Sequence, residues 1–280
     1  MKKTRKPFII ALNIFIFALL VFLGYQLFGL AGQGLAFYRQ NEAKLAAEQA
    51  FSAPPPALPA PSAPVSRPGS ASSAYSTPDL NRSLDIAAAP DYAAKIEELR
   101  KTFGNDDIVG YLKIDGTSID YPVCQAKDNE YYLDHDVYRK ASALGALFLD
   151  MSNSPDFTDK NSVIYGHNMK SDTMFHALRY YVDKSFYEQH KTITLATRYG
   201  YTEWEIFAAY STTTDFNYIQ TEFNGEADFA RLLDQFVSKS AYDTGVAVTA
   251  ADTVLTLSTC NNITDNGRIA VNAKLISDMQ

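Results

Sequence analysis

The sequence predicts a mostly β fold, an eight-stranded barrel that carries an N-terminal helix and a helix between strands 6 and 7. Short segments rich in Val, Ile, Tyr, Thr and Phe recur in the last 190 or so residues, separated by turn-forming Gly, Asp and Asn. Clear helical periodicity is confined there to two stretches, near residues 92–103 and 229–237. A closed barrel suits so many short strands because closure removes unpaired sheet edges. A long apolar segment near the N-terminus adds a transmembrane helix before this barrel.

The first element is a basic N-terminus followed by an apolar run from Phe8 to Leu30. A helix of that length spans about 34 Å at ~1.5 Å per residue, which is enough to cross a bilayer. A cleaved signal peptide is the alternative, but its apolar core is usually only ~7–15 residues long. Positive charge before a span keeps that end in the cytoplasm. We therefore interpret residues 1–36 as a cytoplasmic tail and membrane anchor, with the tail's basic residues being Lys2, Lys3, Arg5 and Lys6.

Residues 37–90 form the second segment, a juxtamembrane helix and a linker. Phe37–Phe51 has helix-forming composition and continues the membrane helix, whereas Ser52–Pro78 consists almost wholly of Pro, Ala and Ser. Such a stretch cannot bury a core and favours extended geometry at ~3.1 Å per residue, whether it is a semi-rigid stalk or a disordered linker. We expect this segment to hold the folded part tens of ångströms from the membrane.

Residues 91–280 form the third segment, which is long enough for one compact core. Its first helix has Tyr92, Ile96, Leu99 and Phe103 on one face and ends at Gly104. A second helix follows from the apolar spacing within Phe229–Val237, and a shorter helical stretch is expected at 173–181. The eight predicted strands are Ile108–Ile114, Ser118–Val123, Ala146–Asp150, Ser162–Tyr165, Thr192–Thr197, Thr202–Tyr210, Val254–Ser258 and Arg268–Ile276.

Charge and cysteine content exclude several classes of function. Residues 1–90 carry a net charge of +4 and residues 91–280 a net charge of −11. The folded part is therefore not expected to bind nucleic acid, because phosphate binding needs clustered Lys and Arg. Two cysteines exclude a disulfide-rich scaffold and a four-cysteine zinc site, and no pair of His or Cys has metal-ligand spacing with a third partner nearby. We predict no metal and no cofactor.

Three residues at strand ends have side chains suited to nucleophilic catalysis. Cys260 ends the strand that begins at Val254, and a thiol there can act as a nucleophile if its thiolate is stabilised. His167 follows the strand ending at Tyr165 and could be its acid/base partner. A hairpin from 261 to 267 would bring Arg268 beside the cysteine, where a permanent cation could stabilise a thiolate or an oxyanion.

Each of these residues also has a purely structural interpretation. Outside the membrane Cys124 and Cys260 could form a disulfide, because that compartment permits one. Cys124 is more simply a small buried side chain in strand-like sequence. For any one of Cys260, His167 or Arg268 alone, the structural interpretation is favoured. Only the three residues taken together favour a catalytic role.

The three motifs, in this order, resemble those of the sortases, and within them class B. The nucleophile signature Thr-Leu-x-Thr-Cys is matched by Thr256–Cys260, the histidine motif by Tyr165–Met169, and the arginine of the last strand by Arg268. Further resemblance to class B lies in Phe175–His190 and Ile108–Ile114. The short loop between the cysteine and the arginine differs from the usual class A arrangement.

The resemblance implies a membrane-anchored cysteine transpeptidase with Cys260, His167 and Arg268 as its catalytic residues. By resemblance, Cys260 attacks a threonyl carbonyl in the C-terminal sorting signal of a surface protein and forms a thioacyl enzyme. An amine of the peptidoglycan cross-bridge then attacks this thioester, so that the surface protein, the client of the enzyme, is transferred to the cell wall. The resemblance also implies a single-pass protein with a cytoplasmic N-terminus and an extracellular catalytic domain. Further candidate substrate-binding residues are Ser258, Thr259 and Asn168.

Three alternatives remain open at this stage. A class B-type pilin polymerase would use a pilin lysine as its acceptor. A secreted cysteine hydrolase would use the same Cys and His with water. A non-catalytic envelope-binding module would leave both cysteines paired or buried. Ser258 could line the substrate groove or have only a structural role within its strand.

Overall fold

The structure is a computed structural model that describes residues 5–52, 91–260 and 266–279. Several features discussed above lie outside these residues, namely the basic pair Lys2 and Lys3, most of the Pro/Ala/Ser-rich stretch, and the turn 261–265. The side chains of residues 5–14, 52 and 277–279 are also outside the description.

The predicted eight-stranded barrel is confirmed. The strands close in the order β1-β2-β3-β4-β7-β8-β6-β5. All eight lie where the sequence predicts them, although β6 and β8 are longer because they pair with each other from Tyr201–Met279 to Thr213–Gly267. Their bounds are β1 Ile108–Lys113, β2 Asp120–Cys124, β3 Leu147–Leu149, β4 Asn161–Tyr165, β5 Thr192–Thr197, β6 Gly200–Thr213, β7 Val254–Cys260 and β8 Gly267–Met279.

Both predicted helices of the folded part are present. Helix α2 spans Tyr92–Phe103, begins where the Asp91 carboxylate accepts a hydrogen bond from the Ala94 amide, and ends at Gly104, whose φ of +61° is left-handed. It buries Ile96, Leu99 and Phe103. A second amphipathic helix, Glu226–Lys239, lies between β6 and β7. It buries Phe229, Leu232, Leu233 and Phe236 of the predicted apolar face, whereas Val237 is exposed.

The region around 173–181 differs from the prediction. Instead of a helix from residue 173, a 3-10 helix spans His176–Val182 and a short α-helix spans Lys184–Gln189. Asp183 separates them in extended geometry and caps the second with its carboxylate. One further turn of helix, α3 at Tyr131–Asp134, is not predicted by the periodicity because four residues are too few to establish a period. The two later α-helices are α4 (Lys184–Gln189) and α5 (Glu226–Lys239).

The N-terminal helix α1, Arg5–Ser52, is continuous from the apolar run into the juxtamembrane segment. Its part from Phe15 onward includes a stretch long and apolar enough to cross a membrane, and its large apolar side chains there are exposed. Its last third packs against the barrel through a face of small residues, with Ala43, Ala47 and Ala50 all buried. Small side chains allow the helix backbone to approach the barrel closely.

Polar contacts hold the same face in place. Arg39 forms an ion pair of 3.3 Å with the buried carboxylate of Asp136, and the Gln40 amide donates to the Met174 sulfur at 3.1 Å. The ring of Phe51 stacks on Tyr111 with centroids 4.4 Å apart. In the structure residues 37–51 thus lie on the surface of the folded domain, while residues 53–90 lie outside the described part of the chain. Composition alone could not indicate this, since an alanine-rich helix face has no sequence feature that distinguishes docking from exposure.

Enlarging this face is expected to release the helix. Because Ala47 is fully buried against the barrel, Ala47→Leu should lower the free energy of unfolding by about 1–3 kcal/mol through overpacking. It should also increase amide hydrogen exchange across residues 36–51. Gln49→Leu is the matched control, because Gln49 is exposed on the same helix turn and should shift stability by no more than about 0.5 kcal/mol. Equal exchange in the two variants would contradict the docked arrangement.

Candidate active site

Two parallel strands bring the histidine and the cysteine to the same end of the barrel. In the parallel β4–β7 pair, Tyr165 lies opposite Ser258, so two residues further on His167, just beyond the end of β4, comes beside Cys260, the last residue of β7. The Gly166 amide donates to the Ser258 carbonyl at 3.2 Å, and the Thr259 hydroxyl donates to the Gly166 carbonyl at 2.6 Å. The two strand ends are thus bonded to each other where the motifs lie.

The arginine reaches the cysteine through the next strand pair. In the antiparallel β7–β8 ladder Cys260 is directly opposite Arg268, and opposite residues of such a ladder project from the same face with Cβ atoms about 5 Å apart. The Arg268 guanidinium donates to its neighbouring Gly267 carbonyl at 3.0 Å. The hairpin that the sequence suggested between these residues is confirmed at its two ends, and its turn lies outside the described residues.

The His167 ring is held by a backbone group. Its Nε2 lies 2.7 Å from the carbonyl oxygen of Leu133, in the α3 turn. The partner of the ring is thus a backbone carbonyl and not a carboxylate. A carbonyl partner cannot be recognised from residue type, because every residue has one.

The three residues line one cleft of about 470 Å³. Its walls come from four parts of the chain: the ends of β4 and β7 with the start of β8, the loop after β6, the segment around α3, and β3. The lining residues outside the motifs are Asn129, Leu133, Phe148, Thr214, Phe216, Asn217, Tyr218 and Ile219. None of these residues is recognisable from the sequence, since most lie outside the strands, match no motif and meet the site only through the fold.

Ser258, Thr259 and Asn168, the candidate substrate-binding residues, all make contacts within the protein. Ser258 shares a hydrogen bond of 2.8 Å with the Tyr218 hydroxyl, and both side chains are buried. The Asn168 amide donates to the Cys260 carbonyl at 2.9 Å. Ser258 and Thr259 line the cleft, whereas Asn168 lines a different cavity, between α1 and the loop after β4. These bonds support the cleft walls and the backbone of the cysteine.

Tyr218 is a buried polar group in the wall of the cleft. Burial raises the pKa of its phenol, while the hydrogen bond with Ser258 and the nearby positive charge of Arg268 oppose the rise. The pKa of Tyr218 thus depends both on its buried position and on the arginine of β8. Tyr218 lies in the loop after β6, so it connects the site with the segment that leads to α5.

Cys124 takes no part in this site. It is a fully buried free thiol at the end of β2, with the Asn105 amide 3.7 Å from its sulfur. Burial raises the pKa of the Cys124 thiol to about 12, so it stays protonated near neutral pH. Cys260 is also free and is partly exposed, so the disulfide alternative is not what the structure contains.

Comparison with known proteins agrees with this architecture. A family profile described as "Sortase domain" matches residues 112–276. A protein named Sortase B from Listeria monocytogenes is 43% identical over 185 residues, which cover 65% of this chain and 74% of that protein.

Two solved structures are similar as well. One, described as a "Staphylococcus aureus sortase B-substrate complex", superposes with a TM-score of 0.62 at 40% identity, covering 66% of this chain and 86% of that one. The other, a sortase B complexed with triglycine, gives a TM-score of 0.63 at 40% identity over the same shares of the two chains. Together with the closed barrel and the matched family profile, these likenesses show that the chain belongs to the sortase family of cysteine transpeptidases, in its class B.

Proposed function

We propose that this protein cleaves the sorting signal of surface proteins and transfers them to an amine of the cell wall, with Cys260, His167 and Arg268 as its catalytic residues. The observation that carries the proposal is the convergence of a partly exposed thiol, an imidazole and a guanidinium in one cleft, each positioned by a strand end. A thiol nucleophile, a proton carrier and an oxyanion-stabilising cation are the parts that acyl transfer requires.

The proposed reaction has two halves. The Cys260 thiolate attacks the carbonyl carbon of a client threonine, the C–N bond breaks, and His167 gives a proton to the leaving amine. The client is then held as a thioester. An acceptor amine attacks this thioester and loses a proton to His167, and the C–S bond breaks to restore the thiolate. Arg268 stabilises the negative charge that develops on the carbonyl oxygen in both halves.

The substrate cleft is proposed to hold the client between the β4 and β7 ends and the loop after β6. Ser258 and Thr259 line the cleft and are proposed to contact the client, while Asn168 supports the backbone of Cys260. One similar protein is described as a substrate complex and another as complexed with triglycine. These descriptions support a peptide client and an amine acceptor for this chain.

We further propose that the protein is anchored in the cell membrane by α1, with its N-terminus in the cytoplasm and residues 91–280 outside. The apolar, exposed stretch of α1 and the basic residues before it support this topology. The docked face of α1 would then keep the barrel next to the membrane, and the linker's role would not be to set that distance.

A transfer assay on the full-length chain in detergent micelles tests the function. The chain is incubated with a library of peptides that each contain an internal threonine, with and without triglycine as the amine, and products are identified by mass spectrometry. A new amide that requires both the amine and the Cys260 thiol supports transpeptidation. Hydrolysis of the peptide with no amide product when triglycine is present would indicate a cysteine hydrolase. Transfer to a lysine acceptor in preference to triglycine would indicate a pilin polymerase. No thiol-dependent turnover would contradict the proposal.

A further inference from the structure

We propose that Gly145 is a positioning residue, which keeps the Leu133 carbonyl against His167 and so determines which nitrogen of the ring carries the proton. The inference deepens the proposed function, since it concerns the residue assigned there as the proton carrier. It rests on one hydrogen bond and on the space that a glycine leaves beside it.

The bond determines the form of the ring. A carbonyl oxygen can only accept, so the Nε2 that lies 2.7 Å from the Leu133 oxygen must carry a hydrogen. The neutral ring is then the Nε2–H tautomer, and its lone pair is on Nδ1. Proton exchange with the thiol or with the leaving amine is left to Nδ1 alone.

The carbonyl can reach the ring because residue 145 has no side chain. Gly145 has a φ of +60°, which is the left-handed region, and lies beside both the α3 turn and the ring. A Cβ at this position would overlap the Tyr132 carbonyl oxygen, and would lie 3.0 Å from the Leu133 oxygen and 3.1 Å from Cδ2 of His167. A side chain here therefore pushes on the acceptor and on the ring at once.

Neither segment can simply move apart to accommodate a methyl group. The Ala146 amide donates to the Tyr132 carbonyl at 3.0 Å, and the Ser142 amide donates to the Asp134 carbonyl at 2.8 Å. These bonds tie the segment around Gly145 to both ends of α3. Because the Tyr132 and Leu133 carbonyls belong to the same turn, relieving the closest overlap, with the Tyr132 oxygen, also displaces the Leu133 carbonyl from the partly exposed histidine ring.

The test measures the tautomer of His167 in the full-length chain labelled with 15N-histidine. At a pH where the ring is neutral, the two nitrogens have different 15N shifts and the tautomer can be read directly; His167→Gln identifies the signals. We expect the wild-type ring to be the Nε2–H form and Gly145→Ala to contain both forms. We also expect kcat to fall about 10–100-fold with KM changed less than about twofold, since a misplaced catalytic group slows the chemical step.

Gly104→Ala is the matched control. Its φ of +61° imposes the same backbone cost, but a Cβ there meets no atom within 4 Å. It should retain the wild-type tautomer and activity. Gly145→Asn, which adopts the left-handed region more readily than alanine, repeats the test with less backbone strain.

Three results would overturn the inference. The first is a wild-type ring in the Nδ1–H form. The second is a Gly145 variant that keeps the wild-type tautomer and kcat. The third is that both Gly145 variants fail to fold while Gly104→Ala folds, which would assign Gly145 a folding role only. A wild-type protein with no transfer activity would refute the proposed function instead, because the tautomer is measured without substrate.

Discussion

Cys260→Ala should abolish amide formation, lowering the rate by at least about 10⁴-fold, whereas Cys124→Ala should leave it within about twofold. The two residues are the only cysteines of the chain, which makes them a matched pair. Removing a nucleophile eliminates the covalent route entirely, and losses of this size or larger are typical. Removing the Cys124 thiol only empties a small volume in a packed interior, at a cost of about 1 kcal/mol of stability. The measurement is the initial rate of transfer to triglycine.

Thiol labelling provides an independent measurement of the same contrast. With a pKa of about 12, Cys124 is ionised to about one part in 10⁴ at pH 8, and it is fully buried as well. One thiol of the folded protein should therefore react rapidly with an alkylating reagent, and two should react after unfolding. Loss of the fast-reacting thiol in Cys124→Ala rather than in Cys260→Ala would refute the assignment of the nucleophile.

Arg268→Ala should lower kcat by about 10²–10³-fold, the usual loss when one group that stabilises an oxyanion is removed. Arg268 lies opposite Cys260 in the β7–β8 ladder, so its guanidinium is available on the face of the thiol. Arg268→Lys keeps the charge but loses the planar fork of donors, and should recover only part of the rate. Steady-state kinetics with and without triglycine measures both variants.

The control for this prediction is Arg198→Ala. Arg198 is exposed at the turn between β5 and β6, at the opposite end of β6 from the strand position that pairs with Arg268. Its removal changes the net charge by the same amount and should leave kcat unchanged. If the two alanine variants lost the same activity, the effect would come from the overall charge and not from stabilisation of the oxyanion.

Much of the fold is predictable from local patterns. The eight strands, α2 and α5 are all found where alternation, β-branched residues and 3.6-residue spacing indicate them. The region around residue 176 is the exception, because the stretch expected to be helical at 173–181 is a 3-10 helix at His176–Val182, followed after Asp183 by a short α-helix. Local propensity does not distinguish these two forms when each turn is so short.

The part of the site that can be predicted is the part that depends on residues with reactive side chains. Cysteine, histidine and arginine at strand ends are recognisable in sequence, and their strand pairing brings them together as the hairpin and the motifs suggest. The facing wall of the cleft is not recognisable. Tyr218, in the loop after β6, and Leu133, in α3, are distant in sequence from the motifs, and they join the site only when the barrel closes.

The sequence by itself thus determined the class of the fold, the positions of its strands along the chain and the three residues with reactive side chains, because each depends on side-chain type and short-range spacing. Only the tertiary structure decided that the alanine face of α1 docks on the barrel and that a carbonyl holds the ring of His167. These features depend on backbone groups and small side chains, which are alike at many positions. Their role follows from what approaches them in space, and contacts between residues so distant in sequence exist only after the chain has folded.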